Sequence, residues 1–166
     1  MVFDVMVLVR AVITNRSSFE EWPSPPPRSA SAAAECLGIV NDAEEFALWV
    51  SQHILRNVLR VLVEIFGWAP DQAERYTNRL REIAERSGGG DVDPEEVAPG
   101  TRVTDCSDFE DNRILELASV VDAHLIVSND QEHLIPMSPW RGTPIIVDSE
   151  FVARVDAARR ARRRRY

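Results

Sequence analysis

The chain has 166 residues, 45% of them hydrophobic and 28% charged, which is one domain's worth of ordinary globular composition. Its 19 basic residues are all arginine and face 27 acidic ones, a net charge of −8, so mechanisms that need a lysine ammonium are excluded, as is a positive field over the whole molecule. The charge is uneven: residues 151–166 hold seven Arg and one Asp, a local +6, and leave residues 1–150 at −14.

In chain order, residues 2–9 (Val-Phe-Asp-Val-Met-Val-Leu-Val) form a short apolar run broken by one carboxylate and read as a strand buried on both faces. Four prolines between Trp22 and Arg28 remove amide donors and predict a loop. An Ala-rich stretch over 30–40 predicts a short helix, and 46–50 a second buried strand. Ser51 is placed to cap a helix whose apolar residues, Ile54, Leu55, Val58, Leu59, Leu62 and Phe66, recur at three and four positions until Gly67. Pro70 and Asp71 open another helix to about Arg86, stopped by Gly88–Gly90. After a polar segment over 91–100, the reading gives a short strand at 102–104, a helix from about Phe109, strands at 124–127 and 144–147, and a last helix capped by Ser149 that runs into the arginines. Strands alternating with helices predict a three-layer α/β/α sandwich with a mainly parallel sheet, over residues 1–155, followed by an Arg-rich tail at 156–166. No internal repeat is visible. Trp49 and Trp68 are expected in the core. Cys36 and Cys106 are too few and too distant for a disulfide framework or a Cys-rich zinc site. No apolar run approaches the roughly 18 residues that span a bilayer, and the first residues lack the basic flank of a signal peptide, so a cytoplasmic location is expected.

Open α/β sheets bind ligands beyond the carboxyl ends of their strands, and acids gather where those ends are expected. Asp4 lies in the first strand, the cluster Asp105, Asp108, Glu110 and Asp111 precedes or opens a helix, and Ser128, Asn129 and Asp130 close the fourth strand. Like charges in a partly buried cleft raise one another's pKa and are costly without a cation. A hard divalent ion with oxygen ligands, Mg2+ or Mn2+, answers that cost and can activate water for phosphodiester hydrolysis. Bland alternatives stand beside this reading: Asp108, Glu110 and Asp111 suit the positive end of a helix dipole, and Asp130 suits a turn. Asp4 is harder to explain so, because an ionisable group inside an apolar strand is expensive to bury alone.

Asp4 in Val-Phe-Asp-Val-Met-Val-Leu-Val, Asp111 in Asp-Phe-Glu-Asp-Asn-Arg-Ile-Leu-Glu-Leu-Ala and Asp130 in His-Leu-Ile-Val-Ser-Asn-Asp-Gln-Glu-His-Leu resemble, in order, the first, third and fourth acidic motifs of PIN-domain nucleases. Residues 142–152 (Gly-Thr-Pro-Ile-Ile-Val-Asp-Ser-Glu-Phe-Val) resemble that family's last strand and helix, and the whole is similar to its toxin branch, akin to VapC. The resemblance implies RNA cleavage by a water activated on Mg2+ or Mn2+, with Asp4, Asp111 and Asp130 as metal ligands, homodimer formation, and inhibition by a small antitoxin protein. Two positions depart from the pattern. Met6 stands where the family usually has Asn, and Asn57 where its second motif usually supplies Glu, which removes one negative charge but leaves an amide oxygen that can still coordinate a metal, so Asn57 is an auxiliary candidate. Asp108, one helical turn before Asp111, is an auxiliary candidate that restores charge, as is Asp105 if its loop folds back; Ser128 is a candidate for orienting water or metal. The alternative is a catalytically weakened module that binds RNA or protein. His53 is expected to be neutral to function, and His124 and His133 do not form a metal-spaced pair. The terminal arginines either contact RNA phosphates or form a solubilising tail or one folded back on the acidic body.

Overall fold

Asp4 is the hinge on which the first motif turns. Its backbone is extended (φ −62°, ψ 150°); its amide donates to Val127 O at 2.9 Å, and its carbonyl accepts from the amides of Val7 and Leu8 at 3.0 and 3.2 Å. One residue therefore takes a ladder bond of the sheet and the first bonds of a helix. The computed structural model describes residues 1–14, 31–42, 45–100 and 102–164. In it β1 is only Val2–Phe3, and Val5–Ile13 is helix α1, which corrects the strand expected over 2–9. The run misleads because Val5, Val7, Leu8, Val9, Ala11 and Val12 are all buried. A helix covered on nearly every side has no polar stripe and reads like a buried strand.

The remaining elements are α2 (Ala32–Asp42), β2 (Trp49–Val50), α3 (Gln52–Glu64), α4 (Pro70–Arg86), β3 (Gly90–Asp91), α5 (Pro94–Val97), α6 (Phe109–Val120), β4 (Ile126–Val127), a 3-10 turn (Ile135–Met137), β5 (Ile145–Ile146) and α7 (Asp148–Arg163). Ser51 caps α3 as expected, its hydroxyl accepting from the Ile54 amide, and Pro70 opens α4 in the first turn, where its missing N–H costs nothing. The expected strand at 102–104 is absent. Val103 instead donates its amide to Glu116 Oε1 at 3.0 Å, and the third strand is Gly90–Asp91, paired with Trp49 and Val50. Gly89 permits that pairing: a Cβ there would meet Leu48 O at 1.7 Å. The cap of α7 is also corrected, from Ser149 to Val147, because Ser149 already lies in the helix and gives its amide to Asp148 Oδ1. α7 continues unbroken to Arg163, so the boundary expected at residue 155 falls inside it. The proline loop expected over 22–28 lies outside the described residues.

Among the described residues the five strands are all parallel, in the order β3-β2-β1-β4-β5, with Val2 opposite both Trp49 and Ile126. With the helices packed on the sheet, this is the expected α/β/α architecture. The core runs from Phe3, Leu48 and Val127 in the sheet to Leu8, Leu62, Leu80, Leu115 and Phe151 on the helices. Trp49 and Trp68 are partly buried against it. The chain moves outward from β1 to β2 and β3, then crosses to β4 on the other side of β1. The carboxyl ends of β1 and β4 therefore flank the switch point where an open sheet leaves a crevice. Among the described residues no helix is long and apolar enough to cross a membrane.

Candidate functional site

A cleft of about 340 Å³ opens at that switch point, lined by Asp4, Arg10, Asn57, Glu110, Asp111 and Asp130 among others. Each acid arrives for a local reason. Asp4 ends β1. Asp111 sits in the first turn of α6, whose cap is Asp108: one carboxylate oxygen of Asp108 accepts from the amides of Glu110 and Asp111, at 2.7 and 3.4 Å. Asp130 follows β4 and organises the turn after it, its Oδ1 accepting from the amides of Glu132 and His133 at 2.7 and 2.9 Å.

Ser128 ties the first acid to the third. It is fully buried; its hydroxyl accepts from the Asp130 amide at 3.0 Å and donates to Asp4 Oδ2 at 2.8 Å. Because a hydroxyl carries a single proton, the accepting and donating roles are both fixed, and the Asp4 carboxylate is held in one rotamer. His133 closes the other side. Its Nδ1 lies 3.2 Å from Asp130 Oδ2 and 3.6 Å from Asp111 Oδ2. One ligand atom from each of Asp111, Asp130 and His133 falls within 4.8 Å of the others.

The electrostatics follow from this crowding. Burial pushes the Asp4 carboxyl above the usual carboxylate range and the Asp130 charge adds to it, while the Ser128 hydroxyl and the amides opening α1 offset part. Asp111 rises to about 6, first through burial and then through the charges of Asp130, Asp108 and Asp4. Asp130 goes the other way. Burial would raise it, but the amides of His133 and Glu132 and the His133 ring together bring it below the usual range. His133 is raised in turn, chiefly by its bond to Asp130. A crevice in which two of three carboxyls are raised suits a hard cation, and oxygen donors with one imidazole are a donor set that divalent ions accept. The residues present fit such an ion.

Two expected contributors sit differently. Asn57 is buried on α3 and faces the cleft, but its Oδ1 accepts from Arg60 Nε and Nη2 at 3.1 and 2.6 Å, and its Nδ2 donates to Glu110 Oε2 at 2.7 Å. The oxygen is thus directed to Arg60, and the charge at this wall comes from Glu110, which His53 Nε2 also contacts at 2.7 Å. Asp105 turns away, to Trp140 Nε1 at 2.8 Å and Arg141 at 3.1 Å. From the sequence Glu110 is expected only as one of the acids opening a helix and His133 only as a histidine without a metal-spaced partner, yet both stand at the site. The available signals were short: Glu110 directly precedes Asp111, and His133 follows Asp130 by three in a turn. The Met6 side chain brings no polar atom to the cleft beyond its thioether, although its amide bonds the Asp4 carboxylate.

The chain matches the PIN-domain family model over residues 1–132. It belongs to that family. No curated protein and no solved structure matches it significantly. PIN domains are typically nucleases that use divalent metals and act on nucleic acid, and the part of the chain that matches contains Asp4, Asp111 and Asp130.

Proposed function

We propose that this PIN domain is an endoribonuclease of the toxin type, hydrolysing RNA phosphodiesters with Mg2+ or Mn2+ held by Asp4, Asp111 and Asp130. The observation that carries the reading is the convergence of three carboxylates from three separate elements on one buried crevice, with Asp4 and Asp111 both raised by it. When bound, the ion supplies Lewis acidity toward water and toward the phosphate oxygens. The chain's own groups do the positioning. Ser128 fixes the Asp4 carboxylate, His133 braces Asp130 and takes up charge beside it, and Asp108 adds negative charge next to Asp111 while holding the helix start. Asn57 acts at one remove, by holding Glu110 at the cleft wall. Inhibition by a cognate antitoxin protein and homodimer formation belong to the same proposal.

The direct experiment is cleavage of a mixed cellular RNA pool with Mg2+, with Mn2+ and with a chelator, beside Asp4→Asn and Asp130→Asn proteins of demonstrated fold. Metal-dependent cuts that vanish in both variants are expected. The second reading, a catalytically weakened module that binds RNA or protein, is favoured by one observation: the oxygen of Asn57 is engaged by Arg60 and gives the site no fourth ligand. Calorimetric titration with Mn2+ separates the two. Binding that is lost in Asp4→Asn supports the nuclease, and absence of binding in the unmodified protein supports the module.

A further inference from the structure

The arginine end of α7 lies at the pole of the molecule opposite the cleft. The helix starts beside the carboxyl ends of the strands, where Asp148 Oδ2 accepts from Asn129 Nδ2 at 2.7 Å. It runs back along the sheet, Phe151 meeting Phe46 edge to face, and reaches Glu45, ahead of β2, through Arg162 Nη1 at 3.4 Å. Sixteen residues of helix at about 1.5 Å each cover about 24 Å. Arg159, Arg160 and Arg163, with Asp156, share one helical face at spacings of three and four residues. Arg159, Arg160 and Arg163 pair with no described carboxylate, whereas Arg154, Arg75, Arg79 and Arg81 each hold one.

We propose that this face is a second contact for single-stranded RNA, which grips the backbone at the pole away from the crevice. The inference rests on the nuclease reading for its choice of polyanion. Charge complementarity supplies the rest: three unpaired guanidinium forks on a body of −14 are the feature of this surface that attracts phosphate. The acidic surface of a second copy is the competing occupant, and sedimentation tells it from RNA in the test below. Substrate that touches both poles must span about 24 Å, or about seven nucleotides at a stacked rise of about 3.4 Å.

The test uses the full chain in chelator, so that nothing is cleaved, with an oligouridylate of about twenty nucleotides followed by fluorescence anisotropy over a range of salt. Arg159→Gln, Arg160→Gln and Arg163→Gln are introduced together; all three are exposed, and none belongs to the cleft. The slope of log affinity against log salt should become shallower by about 2, three phosphates at about 0.7 each. With Mg2+, the preference in kcat/KM for the long oligonucleotide over one of about four nucleotides should shrink, with cleavage of the short one unchanged. An unchanged salt slope overturns the proposal. So does an unchanged slope accompanied by a fall in sedimentation coefficient, which would assign the face to contact between copies. A shallower slope in a protein that cuts nothing supports the second contact and refutes only the nuclease reading.

Discussion

Replacing Asp111 by Asn should make the metal-free protein more stable at neutral pH, although it removes a carboxylate from the centre of the fold. Asp111 titrates at about 6 in the folded chain against an ordinary 3.8, and its side chain is about 10% exposed. At about 1.4 kcal/mol per tenfold change in proton affinity, that difference is worth up to about 3 kcal/mol. The sign is set by which state holds the proton more tightly. The folded state does, so stability is fully present below pH 4, falls as the unfolded chain ionises first, and has lost its full share once pH passes about 6. At pH 7.5 the Asn protein escapes this loss, and a chain of this size should gain about 2 to 4 °C in Tm per kcal/mol, or about 6 to 12 °C in all. At pH 4.5 the difference should shrink to about 1 kcal/mol, since the unfolded aspartate is then only partly released from its proton. Thermal unfolding of both proteins in chelator at the two pH values is the assay. Addition of Mg2+ at pH 7.5 should raise the Tm of the unmodified chain more than that of the variant. A variant equal to or below the unmodified chain at pH 7.5, or an advantage that does not shrink with acid, refutes the view that burial and mutual repulsion of carboxylates strain this cleft.

Three further outcomes follow from the same geometry. Ser128→Ala leaves the half-buried Asp130 amide and the buried Asp4 carboxylate without their shared partner; it should cost about 1 to 3 kcal/mol, seen in urea as a lower midpoint at unchanged slope. Asn57→Asp sets a second carboxylate where an amide now donates to Glu110 at 2.7 Å, so it should lower stability in chelator by about 1 kcal/mol. Its Tm should also rise more with Mg2+ than that of the unmodified protein. Gly89→Ala drives a Cβ into the Leu48 carbonyl and should cost about 3 kcal/mol by displacing β3 from β2, with faster amide exchange at Gly90 and Val92, which donate to Leu48 and Val50, as the local signature.

The alternation of elements was legible because turn residues and apolar period change together at Ser51, Gly67 and Pro70, and those boundaries survive in the structure. Order along the chain also exposed Asp4 and Asp130, which follow parallel strands whose carboxyl ends share one side, and Asp111 by its place in the first turn of a helix, although the strand expected before that helix is absent. What escaped was set by contacts between distant segments. α1 lost its helical signature to burial on all sides. β3 has no apolar pattern because an edge strand of Gly90 and Asp91 pairs only where Gly89 allows two backbones to touch. The rotamer of Asn57 is fixed by Arg60 on its own helix and Glu110 on another, and no spacing rule encodes which end of an amide turns toward which neighbour.

The two poles of the molecule are opposite failures of internal neutralisation. Around the cleft several cations are engaged elsewhere: Arg60 by Asn57 and Glu64, Arg113 by Glu116 and the Phe109 ring, Arg141 by Asp105 and Trp140. Arg10 lines the cleft, but among the described residues His133 is the cation within ion-pair distance of Asp111 and Asp130, and Asp111 still stands above an ordinary carboxylate pKa. At the far end of α7 the position is reversed, with arginines that no described acid meets. Joined, the two groups would cancel, but α7 holds them about 24 Å apart, beyond a Debye length of about 8 Å at physiological salt. Neither can relieve the other, so each leaves a site for an ion from outside: a cation at the acidic crevice, and phosphate at the basic helix end.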